Sequence, residues 1–209
     1  NKVLHMSRSK HLIAILGLTL VGNLSAQRIA FGIRGGLLAS TDHATRVRTG
    51  IIPGATAGIY VPYHAGARFE IEPGIMLTVG GSSYMVQDGD KFVDRTYYLQ
   101  VPLSFKLFLG NEFNLSGGVQ MGKRLAVHRS ENGEKSDVGE KYKSMDFGLH
   151  GGIGMDLNSG VDIGLRYYSG MIPLLLNDDA IFPKNRSVQL TVGYRLMHFR
   201  EINTSYRKR

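Results

Sequence analysis

Cysteine is absent from the 209 residues of this sequence. Its absence excludes disulfide bonds, thiolate metal sites, a cysteine nucleophile and the lipid-modified cysteine of a bacterial lipoprotein. Long hydrophobic runs are also lacking. The apolar run Leu12 to Val21 is far shorter than the roughly 20 residues that a helix needs to cross a bilayer, and no later run approaches that length. If this protein lies in a membrane, it must cross it with β-strands.

Blocks of basic residues with interleaved aromatic residues are missing, apart from the last four residues, 206–209. The formal net charge of +8 is a modest excess, and a nucleic-acid surface needs clustered lysine and arginine. We therefore expect no nucleic-acid partner. Glycine and tyrosine are plentiful instead, with 27 and 10 residues. This composition favours a sheet protein with many turns over a helical bundle.

The short apolar run has the features of a secretory leader. Arg8 and Lys10 precede it and small residues follow it, in the order of a basic region, a short apolar core and a cleavage site. We predict a signal peptide over residues 1–26, with residues 1–5 lying upstream of an initiator at Met6. The alternative is an N-terminal core helix, but the run has no amphipathic stripe.

After the leader, apolar and polar residues alternate in segments of about ten residues. Eight such segments occur: 29–40, 50–63, 67–84, 96–109, 113–127, 146–157, 161–168 and 187–199. Tight turns at 64–66, 110–112 and 158–160 alternate with longer polar loops at 41–49, 86–95, 129–145 and 177–186. An even number of strands with one tight end and one looped end predicts an all-β fold, an eight-stranded antiparallel up-and-down transmembrane β-barrel. We assign residues 27–199 to the barrel and 200–209 to a basic C-terminal tail.

The polar faces of these segments carry balanced charge. Four cations, Arg34, Lys106, Arg166 and Arg195, accompany four acids, Glu70, Glu72, Asp156 and Asp162, whereas the apolar faces carry no charge between the strand ends. An eight-stranded barrel has an interior just wide enough for side chains to fill, and an unpaired charge there would cost several kcal/mol. We therefore predict a charge-paired network in the lumen and apolar faces toward lipid. A secreted lipocalin-like carrier, with the apolar face inside, is an alternative.

Tyrosines near the segment ends suit aromatic girdles at the two membrane interfaces. The residues in question are Tyr60, Tyr63, Tyr84, Tyr97, Tyr98, Tyr167, Tyr168 and Tyr194. A preference of tyrosine for strands accounts for part of this set.

A catalytic constellation is not evident. Lipid A deacylases of this size use a histidine two positions before a serine, and here Tyr167 stands two positions before Ser169. His150 could serve Ser169 only if the strand register brought the two together, and we expect it to be a hydrogen-bonded interior residue beside Asp156. The loops with Asp88-Gly89-Asp90 and Asn177-Asp178-Asp179 lack the spacing of a calcium-binding loop. We predict no catalytic residue, no metal and no cofactor, and keep a lipid-modifying barrel enzyme as the alternative.

Five stretches, FGIRGGLLAS, LQVPLSFKLFL, DFGLHGGIGMDL, LRYYSG and LTVGYRL, together resemble the PorT-like outer-membrane β-barrel family of Bacteroidota. The resemblance covers residues 27 to about 197 and implies an eight-stranded barrel in the cell outer membrane. Its founding member is linked to secretion of proteins with a C-terminal sorting domain. The resemblance implies a structural or accessory subunit of an outer-membrane assembly. The expected partners are outer-membrane lipid, lipopolysaccharide and other outer-membrane or periplasmic proteins.

Overall fold

A computed structural model describes residues 30–43, 48–85, 91–131, 134–174 and 183–197. The predicted leader, 1–26, and the basic tail, 200–209, lie outside the described residues. In the described ranges, no helix is long and apolar enough to cross a membrane.

Antiparallel strands form one sheet that closes on itself. The strands are β1 (Phe31–His43), β2 (Arg48–Gly50), β3 (Ile52–Tyr60), β4 (Tyr63–His64), β5 (Phe69–Met85), β6 (Lys91–Phe108), β7 (Phe113–Glu131), β8 (Glu134–Asp137), β9 (Met145–Asp156), β10 (Val161–Gly170) and β11 (Lys184–Met197). Around the ring the order is β1, β3, β5, β6, β7, β9, β10 and β11, and β11 pairs with β1. The short strands β2 and β4 pair with β5, and β8 pairs with β7. The predicted eight-stranded antiparallel barrel is confirmed.

The period-two alternation of the sequence determines which side chains face outward. On β1 the Leu37 residue is 70% exposed and Arg34 is 8% exposed, because successive side chains of a strand point to opposite faces of the sheet. The same alternation places Leu165 outside and Asp162 inside on β10. A soluble carrier barrel buries its apolar face, so this arrangement excludes the lipocalin-like alternative.

Two of the three predicted tight turns contain a glycine with a positive φ angle. Gly110 and Gly160 have positive φ angles of 93° and 90°, which glycine adopts without steric cost. The first of the three turns, predicted at 64–66, is different, because β4 extends the hairpin and Gly66 has no positive φ. Its connection between β3 and β5, 61–68, is longer than that between β5 and β6, 86–90.

Several of the loop boundaries predicted at the opposite end are wrong. Strand β6 begins at Lys91 rather than Thr96, and β7 continues to Glu131. Backbone pairing persists there, with Lys91 opposite Met85 and β8 added beside β7. These residues are too polar to alternate visibly, so the pattern that predicts lipid-facing strands does not extend to them.

Candidate functional site

The eight charged residues predicted for the lumen all lie on inward-facing positions toward the tight end of the barrel. Strands β1, β5, β6, β9, β10 and β11 supply them, so the cluster spans the barrel cross-section. We call this set the lumen network: Arg34, Glu70, Glu72, Lys106, Asp156, Asp162, Arg166 and Arg195. Six of them are at most 9% exposed, and the side chains of Arg166 and Arg195 are 14% and 12% exposed.

Arg34 joins carboxylates from two different strands. Its Nη1 and Nη2 donate to Glu72 Oε1 and Oε2 at 2.5 and 3.0 Å, and its Nε and Nη2 donate to Asp162 Oδ1 at 3.1 and 2.8 Å. Such forked bonds between ions are among the strongest hydrogen bonds in proteins. The guanidinium carbon also lies 4.0 Å from the centre of the Tyr60 ring, whose hydroxyl donates to Asp162. Arg34 is therefore fixed from three sides.

Lys106 and Arg195 contact three of the four acids, Glu70, Glu72 and Asp156. Lys106 Nζ lies 2.8 Å from Glu72, 3.2 Å from Asp156 and 3.5 Å from Glu70. Arg195 Nη2 lies 3.1 Å from Glu70 and also contacts Asp156. Each of the four carboxylates thus lies close to at least one of the cations Arg34, Lys106 and Arg195. The network as a whole has equal numbers of positive and negative groups.

Arg166 is the member held most loosely. Its nearest carboxylate in the described part of the chain is Glu72, at 4.0 Å, and its Nη2 donates to Ser104 Oγ at 3.3 Å. A guanidinium group has five N–H donors, so these two contacts leave much of its hydrogen-bonding capacity unused.

Tyrosines are the interior residues that the sequence analysis assigned wrongly. Tyr60, Tyr84, Tyr98 and Tyr168 are at most 8% exposed and face the lumen, so they are not part of a lipid-facing girdle. Tyr60 lies over Gly32, where a Cβ atom would overlap its ring. The alternation places Tyr60, Tyr98 and Tyr168 on the polar faces of their segments, and this signal could have identified them.

A second polar group, the loop-end cluster, lies in the interior toward the loops. It pairs three buried carboxylates with three tyrosines: Asp42 with Tyr84, Asp94 with Tyr142 and Asp146 with Tyr168, at 2.5, 2.5 and 3.0 Å. Asn185 Nδ2 also donates to Asp146, at 3.1 Å. Arg129 makes two bonds of 2.8 Å to Asp94. The sequence analysis did not include these residues in a site, since Asp42 and Asp94 fall in its predicted loops.

Residues from two loops cover this cluster. Tyr142 and Leu174 pack against Val127, and each of the three is at most 4% exposed. Backbone bonds hold the cover in place, with Lys143 N donating to Leu174 O at 2.6 Å and Leu174 N donating to Pro183 O at 2.8 Å. Burial beside Asp94 raises the pKa of Tyr142, so its hydroxyl keeps the proton that it donates.

A family model for the outer membrane protein beta-barrel domain matches residues 12–195. The chain belongs to this family. Membership places the barrel in the cell outer membrane, so the exposed apolar side chains form a wall that contacts lipid. Ile33, Leu77, Phe105, Leu149 and Leu190 are between 48% and 58% exposed on this wall.

Two solved structures of outer-membrane proteins have the same fold. Ail, the attachment invasion locus protein of Yersinia pestis, is 15% identical, with a TM-score of 0.51 over 81% of this chain and 99% of that one. Neisserial surface protein A is 10% identical, with a TM-score of 0.53 over 79% of this chain and 97% of that one. A comparison with curated protein sequences gives no match. At these identities the likeness concerns the fold alone.

The serine–histidine pair considered for this outer-membrane barrel does not form. Tyr168 is opposite His150 and points inward with it, whereas Ser169 is opposite the exposed Leu149 on the outer face. His150 Nε2 contacts Ser104 Oγ at 3.0 Å, so its partner is not Asp156 as predicted. Within the described ranges, no group of three or more histidine or acidic side chains is placed to hold a metal. The loops at 88–90 and 177–179 lie outside the described residues.

Proposed function

We propose that this outer-membrane barrel is a non-catalytic structural or accessory subunit of a larger outer-membrane assembly, of the PorT-like type. The observation that carries the proposal is the filled interior. Two of the cavities inside the described barrel each have a volume of about 10 Å³, which is room for about one water molecule. Buried side chains of the lumen network lie toward the tight end, those of the loop-end cluster lie toward the loops, and neutral glutamine and threonine side chains such as Gln100 and Thr78 are also buried in the interior. An interior of this kind suits a scaffold better than an open pore.

If the packed interior stabilises the barrel, partners bind at the outer surface and the loops. The outer wall offers apolar side chains to outer-membrane lipid and lipopolysaccharide, and either end of the barrel could contact other outer-membrane or periplasmic proteins. The resemblance to PorT-like barrels favours an assembly involved in protein secretion. Fold-level resemblance is an associational argument, so the assembly itself has to be isolated.

Purification of the tagged protein from native membranes in a mild detergent tests the accessory role. We expect it to elute in a complex with one or more defined proteins in constant ratio. The matched control is an unrelated eight-stranded barrel with the same tag, which should not retain those proteins. Elution of the protein alone, under conditions that preserve other outer-membrane complexes, would contradict the proposal.

The non-catalytic part of the proposal has its own test. Because Ser169 and His150 lie on opposite faces of the barrel wall, S169A and H150A variants should leave the lipid A composition of the cell unchanged by mass spectrometry. A change in the number of acyl chains on lipid A in either variant would favour the lipid-modifying enzyme instead.

A further inference from the structure

A row of polar side chains crosses the outer face of the barrel wall at its looped end. Arg186 of β11 lies opposite Thr41 of β1 on one side and opposite Ser169 of β10 on the other. Neighbouring strands are about 4.8 Å apart, so the three residues are adjacent. Strand parity places them outside, because their chain neighbours Ser187 and Tyr168 are at most 7% exposed and point inward. Lys184 follows on the same face of β11, and we call this set the outer polar row: Thr41, Ser169, Lys184 and Arg186.

The cations of the outer polar row have no acid beside them. Strands β1, β10 and β11 contain two carboxylates, Asp42 and Asp162, which are at most 4% exposed and point into the lumen. Among the described residues, neither Arg186 nor Lys184 forms an ion pair. The Nε atom of Arg186 is buried and has no hydrogen-bond partner. The outer face therefore carries uncompensated positive charge here, whereas the lumen network has one acid for each cation.

The outer polar row lies at the border of the wall that contacts lipid. Val188 and Tyr167 are the next outward residues toward the middle of the barrel, they lie opposite each other, and they are 46% and 47% exposed. A tyrosine at such a border is typical of a membrane interface. Outer-membrane barrels have short periplasmic turns and longer loops outside the cell. The row therefore lies at the height of the head groups of the outer leaflet.

The chemistry of the row favours a phosphate group. The guanidinium of Arg186 can form a forked pair with a phosphate, and the ammonium of Lys184 adds a point charge. The Ser169 hydroxyl can donate a further hydrogen bond, whereas Thr41 Oγ1 donates to Thr49 Oγ1 at 3.4 Å and borders the row. A phosphate monoester offers three strong acceptor oxygens, which match three donor groups on two neighbouring strands.

We propose that the outer polar row binds a phosphate group of lipid A, the membrane anchor of lipopolysaccharide, in the outer leaflet. Arg186 is the main contact, with Lys184 and Ser169 beside it, and the acyl chains of the same molecule lie along Val188 and Tyr167. A soluble anion would not use this apolar surface. The inference refines the lipopolysaccharide contact of the proposed function and does not depend on the accessory role.

Titration of the purified full-length barrel with diphosphorylated lipid A in a non-ionic detergent tests this proposal, with bound lipid counted by native mass spectrometry. We expect R186Q to weaken binding about tenfold or more, because it removes a charge-assisted hydrogen bond. K184Q should weaken binding about fivefold, as for one cation near an anionic lipid surface. R186K keeps the charge and loses the fork, so its affinity should lie between those of the unchanged protein and R186Q.

The matched control is R68Q, which removes an exposed arginine at the tight end of the barrel and should bind lipid A like the unchanged protein. Lipid A whose phosphates have been removed should bind the unchanged protein about as weakly as diphosphorylated lipid A binds R186Q. If R186Q fails to fold, R186K and this comparison of lipids still decide. Equal binding of the two lipids, or equal affinities of R186Q and R68Q, would overturn the proposal.

A competition experiment separates a lipid from a soluble ligand. Inorganic phosphate at the concentration of lipid A should not displace it, and displacement would show a site for a soluble anion and overturn the proposal. The assay uses the barrel without other proteins, so its result is separate from the search for a complex in native membranes. Isolation of such a complex, together with unchanged lipid A binding by R186Q, would keep the accessory role and reject the phosphate site.

Discussion

Both halves of the barrel interior contain a tyrosine whose ring lies over a glycine and whose hydroxyl donates to an aspartate. The other partners of that aspartate differ between the halves. In the lumen network, Tyr60 lies over Gly32 and donates to Asp162. In the loop-end cluster, Tyr168 lies over Gly148 and donates to Asp146. Asp162 also accepts hydrogen bonds from the guanidinium group of Arg34, whereas the described hydrogen bonds of Asp146 come from the neutral side chains of Tyr168 and Asn185.

This difference follows the distribution of cations. The lumen network has one cation for each acid, and in the loop-end cluster the described ion pair is that of Arg129 with Asp94. The side chain of Arg129 is 22% exposed, whereas that of Arg34 is 7% exposed. We infer that ion pairing is essential in the lumen network and that neutral donors suffice toward the loops. Four predictions test this comparison of the two halves.

The largest effect is expected from E72Q in the lumen network. Glu72 bridges Arg34 and Lys106, and removing one partner of a buried ion pair costs about 3 to 5 kcal/mol, because it leaves charge uncompensated. The free energy of unfolding in detergent, measured by denaturant titration, should fall by that amount. Glu140 is exposed, so E140Q is the control and should change stability by about 0.5 kcal/mol at most. Equal effects of the two variants would contradict the essential role of ion pairing.

A smaller loss is expected from D94N in the loop-end cluster. The variant replaces the charged acceptor of Arg129 and Tyr142 by an amide. Hydrogen bonds to charged groups contribute about 1.5 to 3 kcal/mol, and the partial exposure of Arg129 favours the lower end. The same unfolding titration measures the loss, with E134Q on the exposed strand β8 as the control. A loss in D94N as large as that in E72Q would remove the difference between the two halves.

The sequence predicts the lumen network better than the loop-end cluster for a physical reason. Arg34 and Leu37 fall on opposite faces by strand parity alone, so the inward position of each network residue is predictable. The sequence does not predict which carboxylate contacts which cation. Strand tilt and register set the contacts across the lumen, such as that of Arg34 with Asp162. For the loop-end cluster the sequence does not even predict which residues belong to it, because Tyr142 comes from a loop and Asp94 from a polar strand end.

Glycine substitutions test the device that both halves share. A Cβ atom at Gly32 would overlap the ring of Tyr60, and one at Gly148 would lie 2.3 Å from the backbone oxygen of Ser169 and 2.7 Å from the ring of Tyr168. Overpacking of this kind costs about 1 to 3 kcal/mol, and we expect G32A and G148A to lose similar amounts in the same titration.

The matched controls lie on the same strands. At Gly35 and Gly151 a Cβ atom would have its nearest neighbour at 3.7 and 3.8 Å, so G35A and G151A should change stability by about 0.5 kcal/mol at most. A large loss in G32A with none in G148A would confine the device to the lumen network.

The smallest effect is expected from Y142F, which removes the hydroxyl that donates to Asp94 and keeps the ring against Val127 and Leu174. A hydrogen bond to a charged group contributes about 1.5 to 3 kcal/mol, and we expect a loss near the lower end because Asp94 retains its two bonds to Arg129. The free energy of unfolding of Y142F, D94N and the double variant forms a cycle that isolates the pair. If the hydroxyl acts through Asp94, Y142F should cost clearly less in the D94N background. An unchanged cost there would mean that the hydroxyl stabilises the cover through another group, and the loop-end cluster would then be held by its tyrosine hydroxyls independently of the described ion pair between Arg129 and Asp94.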